Sequence, residues 1–209
     1  MSQKVLRRKD TSAGVGLRAV LAVQAAGASA TPVPIPHPPE NAETVKATCD
    51  SFTLDSFTAA DAWELGHLLY ARLLPFATAP AAGGGGSGSG SPAVISIATA
   101  GGQHVLFQAA TGPGTTPDND AWVRRKRAAA LRFAASTWLL HCKFAGDEAA
   151  FRDKFGLSRD AAGEYAIHGG AVPIRVSGVE GIVAVVVVSG LKQQEDHGVI
   201  VDVINSNWE

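Results

Sequence analysis

The chain has 209 residues, 46% of them hydrophobic, and a formal net charge of −1. That length allows one ordinary domain with additional segments, and the apolar share is enough for a core. The near-zero charge excludes a general field for nucleic acid, anionic membranes or acidic substrates, so charge-driven binding has to be local.

Two cysteines, Cys49 and Cys142, make neither a disulfide framework nor a thiolate zinc site and fit a reducing, cytoplasmic location. No apolar run reaches the roughly 20 residues of a membrane-spanning helix, so a soluble chain without membrane insertion is expected. Residues 1 to 50 carry Lys4, Arg7, Arg8, Lys9 and Arg18 early and the run TPVPIPHPPE late. They are expected to be a disordered extension whose Ala-rich middle, 15–28, is able to make a short helix, with organelle targeting as the alternative. The domain proper is expected over residues 51 to 209.

Its first element is a predicted amphipathic helix, capped by Asp55 or Thr58, with Phe57, Ala60, Leu65, Leu68 and Leu69 at helical spacing and Pro75 as its end. The run GGGGSGSGS over 83–91 reads as a flexible loop insertion. Residues 93–98 and 103–109 alternate like strands around Gly101-Gly102, a hairpin signal. After a Gly- and Pro-rich loop, Asn119 or Asp120 caps a predicted long helix over 121–144, with Trp122, Lys126, Ala129 and Phe133 on one face. A short helix follows over 147–155. Then come two β-branched runs, 171–176 and 181–188, which read as a buried hairpin, and a C-terminal helix over 193–205. This order predicts a single α+β domain, an antiparallel sheet packed between helices, and not a doubly wound one.

Antiparallel pairing of the last two strands brings the residues before the first, His168-Gly169-Gly170, beside those after the second, Ser189-Gly190, and near Glu195-Asp196-His197. Each feature has two readings. The glycines permit a bulge or a close ligand approach, and His168 is either a satisfied structural histidine or a ligand contact. Asp196 favours the helix dipole or, with His168 and His197, supplies a hard-oxygen and imidazole metal set. Ser189 sits at a strand end like a nucleophile, but G-x-S-x-G is absent, so a hydrolase triad has little support. Arg124-Arg125-Lys126-Arg127 lies in the first turns of the long helix, where the dipole is already positive, so it is either a solvated face neutralised by Asp118 and Asp120 or an anion site. Lys126, in line with Trp122 and Phe133, is expected to face inward, in a buried ion pair or against a ligand.

The blocks DNDAWVRRKRAAALRFAAST (118–137), EYAIHGGAVPI (164–174) and VSGLKQQEDH (188–197) resemble an uncharacterised protein family of the haem-degrading-like superfamily, which includes HbpS-like and GlcG-like proteins. The resemblance runs from about Phe52 to the C-terminus and omits the extension and the Gly/Ser run. It implies a profilin-like α+β domain that assembles into homo-oligomers. It also implies either a haem or oxidative-stress role or an accessory role in delivering tail-anchored proteins, with chaperone or delivery components as partners. The superfamily block corresponds here to Gly169, Gly170, Pro173 and Ile174, and to Val188, Ser189 and Gly190 with Asp196; the nearer family adds Trp122, Lys126, His168 and His197. No haem-ligating residue of the superfamily maps onto this sequence. The expectation is therefore an oligomeric binding protein with a pocket of Trp122, Lys126, His168, Gly169, Gly170, Ser189, Asp196 and His197. Haem or a divalent metal is the cofactor so implied, and the alternative is a metal-dependent oxidative or hydrolytic enzyme using His168, Asp196 and His197.

Overall fold

The computed structural model describes residues 4–27, 30–78, 90–101 and 104–209. Most of the predicted Gly/Ser loop, 83–89, and Gly102 of the predicted turn lie outside the described residues.

The centre is β6 (Ala184–Ser189), whose six residues are all buried. It pairs antiparallel with β5 (Ala171–Val176) on one side and with β3 (Val94–Thr99) on the other, and β3 pairs antiparallel with β4 (Val105–Ala110). Strand alternation assigns the two faces. Val186 and Val188 join a core with Leu65, Leu69 and Leu73 of α3 (Ala59–Thr78) and Ile200 and Ile204 of α8 (Gln193–Asn207). Val185 and Val187 join Val123 and Ala130 of α4 (Pro117–Phe133) on the opposite face. A sheet coated on both faces by helices is the α+β domain the element order predicts.

Several boundaries differ from the sequence reading: β6 begins at Ala184 instead of residue 181, α8 runs on to Asn207, and three helix ends shift. Helix α3 runs through Pro75 to Thr78 instead of ending there. The predicted long helix is two, α4 and α5 (Thr137–Phe144), because Ala134 turns left-handed at φ 51° and Ser136 caps the second by accepting from Leu139 N at 3.0 Å. The cap of α4 is Thr116 in a capping box with Asn119, ahead of Pro117, where proline costs no helical hydrogen bond. The shorter helices α6 (Glu148–Lys154) and α7 (Arg159–Ala162) then lead to β5.

The segment expected as an unpacked extension is instead built into the domain. Its β1 (Val5–Leu6) runs parallel to β2 (Phe52–Leu54), and β2 runs parallel to β5, so the sheet is mixed and not, as the element order predicts, wholly antiparallel, in the order β1-β2-β5-β6-β3-β4. Helix α1 (Val15–Ala26) is fastened to α3 by the buried Glu64 carboxylate, which accepts from Gly14 N at 2.6 Å and Gly16 N at 2.7 Å. A Cβ at Gly16 would fall 2.7 Å from His67 Cβ, so glycine is what lets the helices close. The Pro-rich stretch 31–40 keeps the extended form its prolines favour but uses it as a strap. Its Val33 and Pro34 carbonyls accept from Arg72 at 2.9 and 3.0 Å, and the Pro39 carbonyl accepts from Trp138 Nε1 at 2.8 Å. Helix α2 (Ala42–Thr48) then leads to β2. The sequence reading weighed proline and charge, and neither reveals that side chains elsewhere supply the missing donors.

Candidate functional site

The β5–β6 register sets Ala171 opposite Val187, and Val188 N donates to Gly170 O at 2.8 Å. The strand ends are thereby brought together, with the first turn of α8 above them and α4 alongside. Gly170 adopts φ 116°, and a Cβ there would sit 2.8 Å from both Asp196 Cβ and Lys126 Nζ. Gly169 N donates to Gln193 Oε1 at 3.3 Å, and a Cβ at this position would fall on the Gln193 carbonyl and 2.9 Å from Trp138 Cε3. Both glycines are positions where the site's side chains press against bare backbone.

Lys126 reaches inward from α4, 3% exposed, as its helical phase predicts. Its Nζ donates to Asp196 Oδ2 at 2.9 Å and to Val188 O at 3.1 Å. The second carboxylate oxygen accepts from Leu191 N at 3.0 Å. Burial pushes the Asp196 carboxyl up to about 6, although Lys126 and the donors of Leu191 and Gly190 pull the other way. Desolvation outweighs pairing here, as it does for carboxylates in low-dielectric surroundings.

Over this pair lies a cavity of about 250 Å³ lined by Trp122, Lys126, His168, Ser189, Gln193 and Asp196, with Asp118, Asn119, Gly190 and Leu191 completing the wall. Trp122 donates from Nε1 to Asp118 Oδ2 at 3.1 Å and carries the Arg125 guanidinium 4.8 Å from its ring centre. His168 meets Trp122 edge to face at 4.9 Å and 72°. Its Nδ1 lies 3.5 Å from Glu148 Oε1 without a hydrogen bond among the described residues. Burial holds the His168 imidazole below its ordinary range, opposed by Glu148 and reinforced by Lys126.

Of the residues read as a pocket, Trp122, Lys126, His168, Ser189 and Asp196 line one cavity, and Gly169 and Gly170 form backbone beside it. His197 does not join them. Adjacent positions on a helix diverge by about 100°, and while Asp196 turns to Lys126, His197 turns into the core. There it is 0% exposed and stacked 6.1 Å from Trp138, with the Cys49 backbone as a polar neighbour. Burial holds its imidazole down at about 3; the Cys49 backbone works against this and Lys126 with it. The metal set of His168, Asp196 and His197 is therefore not assembled, and no three His, Cys, Asp or Glu among the described residues are placed to hold an ion. The four basic residues of α4 diverge as helical phase requires. Arg124 lies 4.0 Å from Glu164, Arg125 covers Trp122, Lys126 is buried, and Arg127 donates to Ser96 Oγ at 2.5 Å.

Gln193 escaped the sequence reading, and Asp118 entered it only as a neutraliser of the basic run. Asp118 stands four residues before Trp122, a helical spacing that could have revealed the pair. Gln193 contacts Gly169 and lies 3.4 Å from His141 Nε2, a tertiary arrangement with no local signal.

The fold and this site define the class: the chain belongs to the family described as haem degrading protein HbpS-like, whose model matches residues 57–205. Among its relatives is a UPF0303 protein of Streptomyces avermitilis, 40% identical over 152 residues that cover 73% of this chain and 81% of the relative. Another is the UPF0303 protein YBR137W of Saccharomyces cerevisiae, 36% identical over 160 residues covering 77% and 78% of the two chains. The crystal structure of Ybr137w protein superposes with a TM-score of 0.61 at 34% identity, covering 74% of this chain and 79% of that one.

The family description raises the question of haem, and the cavity does not fit an enclosed one. Its volume of about 250 Å³ is below the roughly 300–1,000 Å³ that encloses drug-sized ligands. Of the two histidines considered, His197 is sealed in the core.

Proposed function

We propose that this chain is a binding protein for a small, neutral or zwitterionic polar molecule, held in the cavity at the end of the β5–β6 hairpin without a covalent step. Family membership supports a haem-related binding role at the level of the family, and the geometry of this chain favours a smaller ligand at this place. The observation that carries the reading is the buried ammonium of Lys126. Val188 O and Asp196 occupy two of its three donors, which leaves one for an acceptor on a ligand in the cavity that Lys126 lines. Ser189, 4% exposed and on the same wall, makes no side-chain hydrogen bond among the described residues, so its hydroxyl can donate or accept. Trp122 and His168, edge to face, supply an aromatic flank. One cation and one anion at the base suit a ligand with little net charge, since a polyanion would meet Asp196 and Asp118 as well as Lys126.

A thermal-shift titration with small amides, hydroxy acids and amino acids, with haemin included, tests this. A ligand at 100 times its Kd stabilises by about 2.7 kcal/mol, which is several degrees for a chain of this size. A small polar member should raise Tm in the wild type and do so less in Ser189→Ala and Trp122→Ala. Haemin binding in the absence of any small-molecule shift, or a shift that survives both substitutions, would overturn the proposal.

A further inference from the structure

We propose a second ligand site, lined by α1, α3 and β4, for a planar aromatic molecule that carries a hydroxyl or N–H donor. The cavity there measures about 510 Å³ and shares no lining residue with the Lys126 cavity. Its size falls within the roughly 300–1,000 Å³ range that encloses drug-sized molecules.

The walls are aromatic. His67 lies 4.3 Å from Trp63, tilted by 51°, and 5.1 Å from Phe107, edge to face at 71°. Trp63 and Phe107 are themselves edge to face at 6.5 Å. Gly66 makes this array possible, because a Cβ there would run into the Phe107 ring. Such surfaces offer both faces and edges to a flat ligand, and aromatic pairs gain beyond their burial alone. Around them Leu17, Leu21 and Trp63 leave 41%, 54% and 49% of their surface open to solvent. Large apolar groups left exposed together are a mark of a binding surface.

The polar half of the recognition comes from the tautomer of His67. Its Nδ1 stands 2.8 Å from the Trp63 carbonyl. A carbonyl only accepts, so Nδ1 carries the proton and, in the neutral ring, Nε2 is left as a bare acceptor. Nε2 has no hydrogen-bond partner among the described residues. An acceptor fixed in orientation on a solvent-facing aromatic wall selects a planar ligand with a donor on its edge.

The site also depends on α1, which lies outside the segment matching the family model, 57–205. Glu64 on α3 fixes α1 in place through Gly14 and Gly16. The N-terminal segment therefore completes a cavity that the matched segment alone would leave as an open groove.

Isothermal titration of the full chain with 2-naphthol and with 2-methoxynaphthalene, which has the same rings without the donor, tests the proposal. The wild type should bind the naphthol about fivefold more tightly, the worth of one net hydrogen bond. His67→Phe keeps a ring in the wall and should abolish that preference. Leu21→Asp, on the exposed rim of α1, should weaken both ligands. Equal wild-type affinities, a preference that survives His67→Phe, or affinities untouched by Leu21→Asp would each overturn the site.

Discussion

Replacing His197 by leucine should leave the protein as stable as the wild type near neutral pH and markedly more resistant to acid. The imidazole is wholly enclosed, and burial holds it at about 3 against the opposing Cys49 backbone. Unfolded, the same group titrates at its ordinary value of about 6.5. The folded value is depressed, so between those two points the unfolded chain binds the proton and the folded chain does not. Stability must therefore fall as the pH drops through that window. Each pH unit is worth about 1.4 kcal/mol, so from pH 6.5 to pH 4 this residue alone removes about 3 kcal/mol. Asp196 acts in the opposite sense. Its folded carboxyl is raised to about 6 against about 3.9 unfolded, so acidification through that range adds stability, but it does so in both proteins and cancels in their difference. At neutral pH the leucine exchanges a buried neutral imidazole for an apolar side chain of similar volume, a change that is close to neutral. Urea unfolding of both proteins at pH 7, 5.5 and 4 supplies the test. Parallel curves of stability against pH would show that the histidine is protonated or hydrogen-bonded in the folded state and would refute the reasoning.

Other substitutions probe the site and the N-terminal segment. Lys126→Met strands the Asp196 carboxylate in the interior and should cost roughly 3–5 kcal/mol in urea unfolding, whereas Lys126→Met combined with Asp196→Leu should recover most of the loss. Gly170→Ala drives a Cβ against Asp196, Lys126 and the Val188 carbonyl at φ 116° and should cost on the order of 3 kcal/mol. Gly178→Ala, at φ 76° with nothing within 4 Å, should cost about 1 kcal/mol, so equal Tm losses would refute the crowding argument. Glu64→Ala removes two charge-assisted hydrogen bonds worth roughly 1.5–3 kcal/mol each. It should raise amide exchange throughout α1 while leaving β6 protected; unchanged exchange in α1 would show that apolar packing alone holds it.

The valine run of β6, the glycines around it and the helical phase of Lys126 were legible because each rests on local spacing: period two in a strand, 3.6 in a helix, and the pairing of consecutive strands. Those three facts suffice to place Lys126 beside the strand ends where Gly170 and Asp196 meet it. What spacing does not carry is the direction of neighbours within one turn. Asp196 and His197 are adjacent in sequence, and only the packing of α8 decides that one meets an ammonium and the other an indole. The N-terminal segment was misread for a related reason. Its prolines fix an extended backbone but carry no N–H donors, and the groups that hold it, Glu64, Arg72 and Trp138, lie far away in the chain.

That division bears on why a buried ion pair sits where apolar residues would pack at least as well. Buried pairs contribute little net stability, because desolvating two charges offsets their attraction. Here the Asp196 carboxyl is raised and not lowered, so its burial exceeds what Lys126 returns. A pair retained only for stability would be expected inside a sealed core, as His197 is. This one lies against a cavity instead, with a spare ammonium donor and the Ser189 hydroxyl on the same wall. Under the proposed function a ligand would complete the hydrogen bonding of Lys126, and it is the position of the pair against a cavity, more than its strength, that supports reading it as a binding site.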